Sequence, residues 1–192
     1  MEPYSQSCEN NKAPILTLLQ PFFDKTSKVV EIGSGTGQHA VYFAPRLPHL
    51  IWQTSDLPDN HAGINRWIHA YPAQNLLPPL PLNVTQAWPV ADFDGVYTAN
   101  TLHIMPWEAV EALFGALHSP TSCKLAIYGP FNYEGKFTSE SNAEFDLWLK
   151  ERAPHQGIRD IEKITALARE AGFTLVADNP MPANNRLLFF QK

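Results

Sequence analysis

Residues 28–37 read KVVEIGSGTG, and this stretch constrains the fold more strongly than any other. A short apolar run ends in glycines at alternate positions, Gly33, Gly35 and Gly37. Glycine this dense costs backbone entropy and marks a place where the chain turns sharply or approaches a ligand closely. A strand that leads through such a turn into a helix is typical of a nucleotide-type site in an α/β fold.

Short apolar runs alternate with amphipathic segments along the rest of the chain, whose 192 residues suit one domain, 1–192. This alternation predicts an α/β fold with a seven-stranded, mostly parallel sheet and helices on both faces. The predicted strands are 28–33, 50–56, 78–84, 93–102, 124–130, 173–178 and 186–192. The predicted helices are 13–23, 37–47, 61–71, 106–118 and 160–172, with one more at a capping box formed by Ser141 and Glu144.

Two local features predict the order of the strands. Pro81 cannot donate a ladder hydrogen bond, so the third strand is expected at a sheet edge. The connection between the last two strands is too short for a parallel crossover, so the last strand is expected to run antiparallel. Outside this framework lie an N-terminal segment and helix, 1–27, and an excursion, 131–159, that we interpret as a lid or an acceptor-binding insertion.

The glycine spacing separates the possible classes of ligand. The loop has no lysine, which excludes a phosphate-binding P-loop. A dinucleotide fingerprint spaces its glycines as G-x-G-x-x-G, whereas here Gln38 follows the third glycine, which comes one residue early. The acidic Glu31, two residues before the first glycine, also differs from the apolar residue expected in a dinucleotide site. An NAD(P)-dependent oxidoreductase is therefore only the third functional hypothesis.

The pattern Glu31-x-Gly33-x-Gly35-x-Gly37 resembles motif I of class I S-adenosylmethionine-dependent methyltransferases. Asp56 ends the second predicted strand 19 residues after the third glycine, where such folds place an acid that binds ribose. The antiparallel last strand is also a mark of that superfamily. The resemblance implies a Rossmann-like class I methyltransferase fold.

Within that superfamily the chain is most similar to the family named domain of unknown function 938, which includes animal methyltransferase-like protein 26. The similarity is carried by the segments NNKAPIL, VVEIGSGTGQHAVYFA, WQTSD, NTLHIMPWE, YGPFNYEGKFTSESNAEFD, GIRD and MPANN. The chain departs from the family pattern at Glu9-Asn10, where an arginine is expected.

The resemblance implies S-adenosylmethionine as cofactor and S-adenosylhomocysteine as product. The implied cofactor-binding residues are Glu31, Gly33, Ser34, Gly35, Thr36, Gly37, Asp56, Leu57, Asn83, Val84, Asn100 and Thr101. Two of these have a simpler alternative role. Asp56, which we expect to be partly open to solvent, either binds ribose or caps the turn before Pro58, and Asn83 either contacts adenine or is a polar residue of an edge strand.

The acceptor side of the site is less defined. His103 is the candidate general base, because imidazole titrates near neutral pH, but it is equally a candidate packed polar residue. Candidate substrate-binding residues are Asn11, Tyr128, Phe131 and Tyr133. Aromatic side chains, which also include Trp107, Phe145 and Trp148, either wall an acceptor pocket or belong to the core. The histidines lack paired metal-ligand spacing, so no metal is expected.

Composition narrows the function further. The formal net charge is −5 and there is no basic run, which argues against nucleic acid as a partner and favours a small-molecule acceptor. Cys8 and Cys123 cannot form a disulfide framework, and no signal peptide or membrane span is evident, so we expect a cytoplasmic protein with no membrane partner. The sequence thus predicts an S-adenosylmethionine-dependent methyltransferase. A non-catalytic protein that binds S-adenosylmethionine or S-adenosylhomocysteine is the second hypothesis.

Overall fold

Strands and helices alternate along most of the chain in the computed structural model, which describes residues 3–192. The helices are α1 (Gln6–Phe22), α2 (Gln38–Phe43), α3 (Pro58–Ala70), α4 (Trp107–Ala116), α5 (Glu140–Arg152) and α6 (Ile161–Glu170). The strands are β1 (Lys28–Ile32), β2 (Ile51–Asp56), β3 (Leu76–Pro81), β4 (Gly95–Ala99), β5 (Lys124–Gly129), β6 (Phe131–Asn132), β7 (Arg159–Asp160), β8 (Thr174–Met181) and β9 (Asn185–Gln191).

The main sheet has seven strands in the order β3-β2-β1-β4-β5-β9-β8. The pairs β1–β2, β1–β4, β2–β3 and β4–β5 are parallel, whereas β9 runs antiparallel to both of its neighbours, β5 and β8. This confirms the predicted mostly parallel sheet with an antiparallel last strand. The short turn between β8 and β9 forces the reversal, and its Ala183 and Asn184 both take φ of 57°.

The proline-containing strand β3 lies at the edge of the sheet, as predicted from Pro81. Side chains of β2 compensate where the ladder is irregular. Gln53 Nε2 donates to the Pro78 carbonyl at 2.7 Å, and Thr54 Oγ1 donates to the Leu77 carbonyl at 2.7 Å. These bonds hold an edge strand whose prolines cannot donate.

Helices cover both faces of the sheet, as the alternating pattern predicted. On one face Val30 and Ile32 of β1 pack with residues of α4 and α6, such as Leu113 and Ile164. On the other face Val29 packs with residues of α1 and α2. Burying both sheet faces is what holds parallel strands in place, and it leaves the strand ends free to carry a site. Within residues 3–192 no helix combines the length and apolarity that crossing a bilayer requires.

Several predicted helix starts differ from the structure, among them that of α3, which begins at Pro58 and not at residue 61. The predicted capping box at Ser141 and Glu144 is wrong: Ser139 is the N-cap of α5, and its Oγ accepts from Asn142 N at 3.1 Å. Helix α1 begins at Gln6 rather than residue 13; its first turns are mostly polar, with Asn11 their one buried residue, so they show no apolar periodicity that would predict a helix. Helix α4 begins one residue after Pro106, which is the N-cap.

The excursion 131–159 contains a second, two-stranded sheet that was not predicted, formed by β6 and β7 in parallel. Helix α5 lies between these strands in the chain. The N-terminal segment 1–27 consists mostly of α1, and its first two residues lie outside the described part of the chain.

Candidate functional site

The three glycines of the loop after β1 have different surroundings, although all have positive φ (70°, 58° and 91° in chain order). A Cβ on Gly33 would lie 2.7 Å from Thr101 Cγ2, and one on Gly37 would lie 3.2 Å from the Ile64 Cα. A Cβ on Gly35 would meet nothing within 4 Å. Gly33 and Gly37 therefore allow neighbouring segments to pack closely. Gly35 borders open space. A cofactor that packs against the backbone of this loop requires such a space.

Glu31 supports the loop from inside the protein. It is 3% exposed, and its Oε2 accepts hydrogen bonds from Ser34 Oγ at 2.8 Å and Trp52 Nε1 at 3.1 Å. Burial raises the pKa of its carboxyl group to about 7, because the charged form is poorly solvated there. Ser34 Oγ in turn accepts from Ser55 N at 3.1 Å, which ties the loop to β2. These contacts give Glu31 a structural role, and its predicted contact with the cofactor stays a prediction.

Asp56, at the end of β2, holds two turns together. Its Oδ2 accepts from Gly35 N at 2.7 Å, and its Oδ1 accepts from Leu57 N at 2.7 Å and Asn60 Nδ2 at 2.8 Å. The residue is only 7% exposed, so the expectation that it is partly open to solvent is wrong. A carboxylate has about four lone-pair sites, so capping leaves room for another donor, and the predicted ribose contact stays a prediction.

Four other residues predicted to bind the cofactor are Asn83 and Val84, which follow β3, and Leu57 and Thr36, which lie elsewhere. Asn83 Oδ1 accepts from Thr85 N at 3.0 Å and Thr85 Oγ1 at 2.8 Å, an arrangement typical of an Asx-turn. Val84 belongs to the buried core, whereas Leu57 is 50% exposed beside Asp56. Thr36 Oγ1 accepts from Gln38 N at 3.3 Å. An adenine contact by this segment stays a prediction.

The carboxyl end of β4 connects the glycine loop to a second region. Asn100 takes a left-handed φ of 56°, and its N–H donates to the Tyr128 carbonyl at 2.9 Å. The next residue, Thr101, contacts Gly33 and shares a 2.5 Å hydrogen bond with Thr98 Oγ1. Non-glycine residues in this conformation often lie at functional sites. Asn100 and Thr101 are thus placed between the loop and the region beyond.

That region is a cavity of about 660 Å³, within the range of small-molecule sites. Its walls come from the start of α1, the ends of β4 and β5, helix α5 and the β8–β9 turn. Lining residues include Ser7, Asn11, Asn100, His103, Tyr128, Asn142, Phe145, Trp148, Arg152, Gln156 and Asn185. The predicted residues Asn11, Asn100, His103 and Tyr128 are therefore brought together.

Phe131 and Tyr133, also predicted to bind substrate, lie elsewhere. Phe131 is 2% exposed and packs in the core, and it is not among the residues that line the cavity. Tyr133 donates to Asp178 Oδ2 at 2.7 Å, and burial together with this carboxylate raises the pKa of the Tyr133 phenol. The structure thus separates these two aromatic residues from Phe145 and Trp148, which do line the cavity.

His103 is nearly buried at the wall of the cavity. Burial, with a smaller contribution from the nearby Arg159, lowers the pKa of its imidazole to about 4. Its ring lies edge-on to Phe145, with centroids 5.5 Å apart. Arg159 Nε donates to the Leu102 carbonyl at 2.9 Å, and Gly157 N donates to the His103 carbonyl at 2.9 Å. The His103 imidazole is therefore neutral at pH 7, and these hydrogen bonds fix the backbone that carries it.

Sequence reasoning missed Gln38, which anchors the start of α1 to the glycine loop. Ser5 N donates to Gln38 Oε1 at 2.6 Å, and Gln38 Nε2 donates to Glu9 Oε1 at 2.7 Å. Glu9, which also pairs with Lys12, belongs to the Glu9-Asn10 position at which the family resemblance predicts an arginine. The chain thus uses this position to join two helices, a role that only the contact itself could reveal.

A second polar network joins the loop helix to the cavity. Asn11 Oδ1 hydrogen-bonds His39 Nε2 at 2.6 Å, and His39 Nδ1 hydrogen-bonds the Tyr97 hydroxyl at 3.1 Å. Asn11, Asn185 and Tyr128 line the same cavity, and burial raises the pKa of the Tyr128 phenol, while the nearby amides of Asn11 and Asn185 have a smaller, opposite effect. A satisfied buried network of this kind fixes the positions of its members.

A comparison with models of known protein families identifies the family of this chain. The model of the family described as "Protein of unknown function (DUF938)" matches residues 2–192. The chain belongs to this family. The predicted resemblance to that family is confirmed, and the match covers both the glycine loop and the helix α5 side of the cavity.

Solved structures similar to this DUF938 protein have the class I methyltransferase fold. An O-methyltransferase family protein from Burkholderia thailandensis matches with a TM-score of 0.82 and 20% identity over 94% of this chain. The S-adenosylmethionine-dependent methyltransferase SibL matches with a TM-score of 0.80 and 20% identity over 96% of this chain. Human N-acetylserotonin methyltransferase, solved in complex with SAM, matches with a TM-score of 0.71 and 14% identity over 94% of this chain. The chain spans 56%, 55% and 55% of these three proteins respectively. At these identities the likeness establishes the fold.

Proposed function

We propose that this protein is an S-adenosylmethionine-dependent methyltransferase that acts on a small-molecule acceptor. The observation that carries the proposal is the open space at Gly35, linked through Thr101 and Asn100 to the 660 Å³ cavity. A glycine loop that borders open space and a cavity lined by Asn100, both at the carboxyl ends of parallel strands, suit a cofactor and an acceptor that must meet. The fold shared with methyltransferases, one of them solved with SAM, and with the protein PigF, solved with SAH, supports the same assignment.

The residues that would hold the cofactor are those around the glycine loop. The loop backbone at Gly35 offers close approach, Asp56 retains acceptor capacity, and Asn100 and Thr101 lie on the acceptor side. When bound, S-adenosylmethionine supplies a sulfonium methyl group that leaves S-adenosylhomocysteine behind after transfer. The chain contributes orientation and exclusion of water, which are large effects in displacement reactions.

The walls of the cavity perform that orientation. Tyr128 lines the cavity together with Asn11 and Asn185, and the backbone that carries His103 is fixed by hydrogen bonds from Arg159 to the Leu102 carbonyl and from Gly157 to the His103 carbonyl. Because the neutral imidazole of His103 has a pKa of about 4, it is a weak proton acceptor. We therefore assign it a positioning role in the acceptor site, in preference to general-base catalysis.

The test is calorimetric titration with S-adenosylhomocysteine, with NAD as the control ligand, on wild type, Gly35→Ala and Gly135→Ala. Both glycines have positive φ, 58° and 70°, and a Cβ on either meets nothing within 4 Å. Both alanines should therefore introduce similar backbone strain, roughly 1–2 kcal/mol. Only Gly35 borders the proposed site, so only Gly35→Ala should weaken S-adenosylhomocysteine binding, by about tenfold or more.

Binding of NAD without S-adenosylhomocysteine would contradict the proposal. Equal affinity in wild type and a folded Gly35→Ala variant would place the ligand elsewhere. Transfer is tested separately, by incubating the protein with methyl-labelled S-adenosylmethionine and, in parallel, with the metabolite, protein and RNA fractions of a cell extract, and following label into products. S-adenosylhomocysteine binding without transfer to any metabolite, protein or RNA would instead support the non-catalytic binding protein.

A further inference from the structure

The charges that line the acceptor cavity are one-sided. Arg152 is the only lysine or arginine among the lining residues that the structure describes, and no aspartate or glutamate lines the cavity in that same part of the chain. His103, the other titratable nitrogen base there, is neutral at pH 7. In a chain with a net charge of −5, a cavity free of carboxylates disfavours cationic ligands and tolerates anionic ones.

Arg152 is held by stacking rather than by an acid. Its guanidinium carbon lies 4.6 Å from the centroid of the Trp148 ring. None of the ion pairs formed within residues 3–192 includes Arg152, whereas Lys150, two residues earlier on α5, pairs with Asp146. A guanidinium without a carboxylate partner keeps its donor fork available for an incoming anion.

The same helix provides a flat apolar wall. Phe145 and Trp148 stack with ring centroids 5.6 Å apart and an interplanar angle of 20°. Both line the cavity, and Trp148 remains 47% exposed. Parallel aromatic faces beside an open volume favour a planar ring as ligand. The guanidinium above Trp148 lies at the end of this wall.

The weak basicity of the cavity points the same way. An imidazole with a pKa of about 4 cannot efficiently deprotonate an ordinary phenol, whose pKa is about 10. An acceptor whose attacking oxygen belongs to the ionised group itself, such as a carboxylate, avoids this difficulty. Its oxygen attacks the methyl carbon with its own electron pair, a C–O bond forms, the C–S bond breaks with its pair staying on sulfur, and no proton has to be removed.

We propose that the acceptor is a planar aromatic anion, whose ring stacks beside Trp148 and Phe145 and whose negative charge is bound by Arg152. This inference rests on the proposed function, because it names the substrate class of the same site. It adds a residue, Arg152, that determines specificity through charge.

The test compares two probes of nearly equal shape, 4-hydroxybenzoate and 4-hydroxybenzamide, which differ by one negative charge. Each is titrated calorimetrically into protein saturated with S-adenosylhomocysteine. Wild type should bind the anion at least about tenfold more tightly than the amide. Arg152→Gln should abolish this preference. The matched control is Arg46→Gln, since the Arg46 guanidinium also stacks on a ring, Tyr42 at 3.9 Å, but does not line the cavity.

Retention of the preference in Arg46→Gln and its loss in Arg152→Gln supports the inference. Equal affinity of wild type for both probes, or no binding of either probe, overturns the inference. If S-adenosylhomocysteine still binds in that case, the proposed function is unaffected. If S-adenosylhomocysteine does not bind, the proposed function is contradicted. The probes are then titrated into the protein alone, where a missing anion preference overturns the inference independently.

Discussion

Replacing Asp56 with asparagine tests how the glycine loop is held. Three N–H groups converge on this carboxylate, from Gly35, Leu57 and Asn60, at 2.7, 2.7 and 2.8 Å. The residue is 7% exposed, so water cannot easily replace a lost partner. Asn keeps the shape of the side chain but removes its charge and one of its two acceptor oxygens.

The magnitude follows from counting donors. Asn has one acceptor oxygen, so in either orientation its NH₂ group faces at least one of the three N–H donors. Leaving a buried donor unsatisfied costs roughly 1–3 kcal/mol. For a chain of 192 residues each kcal/mol lowers the melting temperature by about 2–4 °C, so Asp56→Asn should melt roughly 2–12 °C below wild type without ligand.

Calorimetric melting and S-adenosylhomocysteine titration of the same samples separate structure from binding. Asp94 is the matched control, because its carboxylate accepts from Ser27 N at 2.9 Å and Lys28 N at 2.8 Å, at the opposite end of β1 from the glycine loop. Asp94→Asn should lower stability and leave affinity unchanged, whereas Asp56→Asn should lower both, the affinity by about tenfold. An unliganded Asp56→Asn that melts with wild type would refute the capping role.

Two further substitutions test single contacts. The pKa of Glu31 is about 7 in the folded protein against 4.5 ordinarily, so the folded state binds the proton more tightly and wild type should lose stability as pH rises from about 4.5 to 7. Glu31→Gln should remove this loss of about 3 kcal/mol in the free energy of unfolding. Urea unfolding of wild type and variant at pH 5 and pH 8 measures the effect. If the stability of both proteins changes equally between the two pH values, the raised pKa of Glu31 is contradicted. Ser139→Ala should lower the free energy of unfolding by about 1 kcal/mol, because it removes the N-cap of α5. If Ser141→Ala loses more stability than Ser139→Ala in the same urea assay, the capping box predicted from sequence is correct after all.

The fold was predictable where the signals are local. A strand, a glycine loop and a helix follow one another within residues 28–43, and the short β8–β9 connection alone requires an antiparallel strand. The start of α1 was not predictable in this way. Its residues Glu9 and Asn11 are polar and are held by Gln38 and His39, which are 29 and 28 positions away in the chain. Hydrophobic periodicity identifies apolar helix faces, so it cannot identify a helix turn that is held in place by side-chain hydrogen bonds.

The candidate site was predictable in part for the same reason. Motif spacing identified Gly35, but it could not distinguish this glycine, which borders open space, from Gly33 and Gly37, which allow close packing. Aromatic content identified Phe131 and Phe145 alike, yet one is in the core and the other lines the cavity. Which side of a strand or helix faces a cavity depends on the tertiary arrangement, and a sequence pattern does not record it.

The two halves of the proposed site come from different parts of the chain, yet one residue contacts both. The glycine loop is fixed by β1 and β2, while the acceptor cavity is closed by α1, α5 and the β8–β9 turn. Asn11 hydrogen-bonds His39 on the helix that follows the loop and also lines the cavity, as Tyr128 does. Substitutions at Gly35 and Arg152 should therefore act on one half each. A change at the start of α1 should disturb both, because the same helix aligns the cofactor side with the acceptor side.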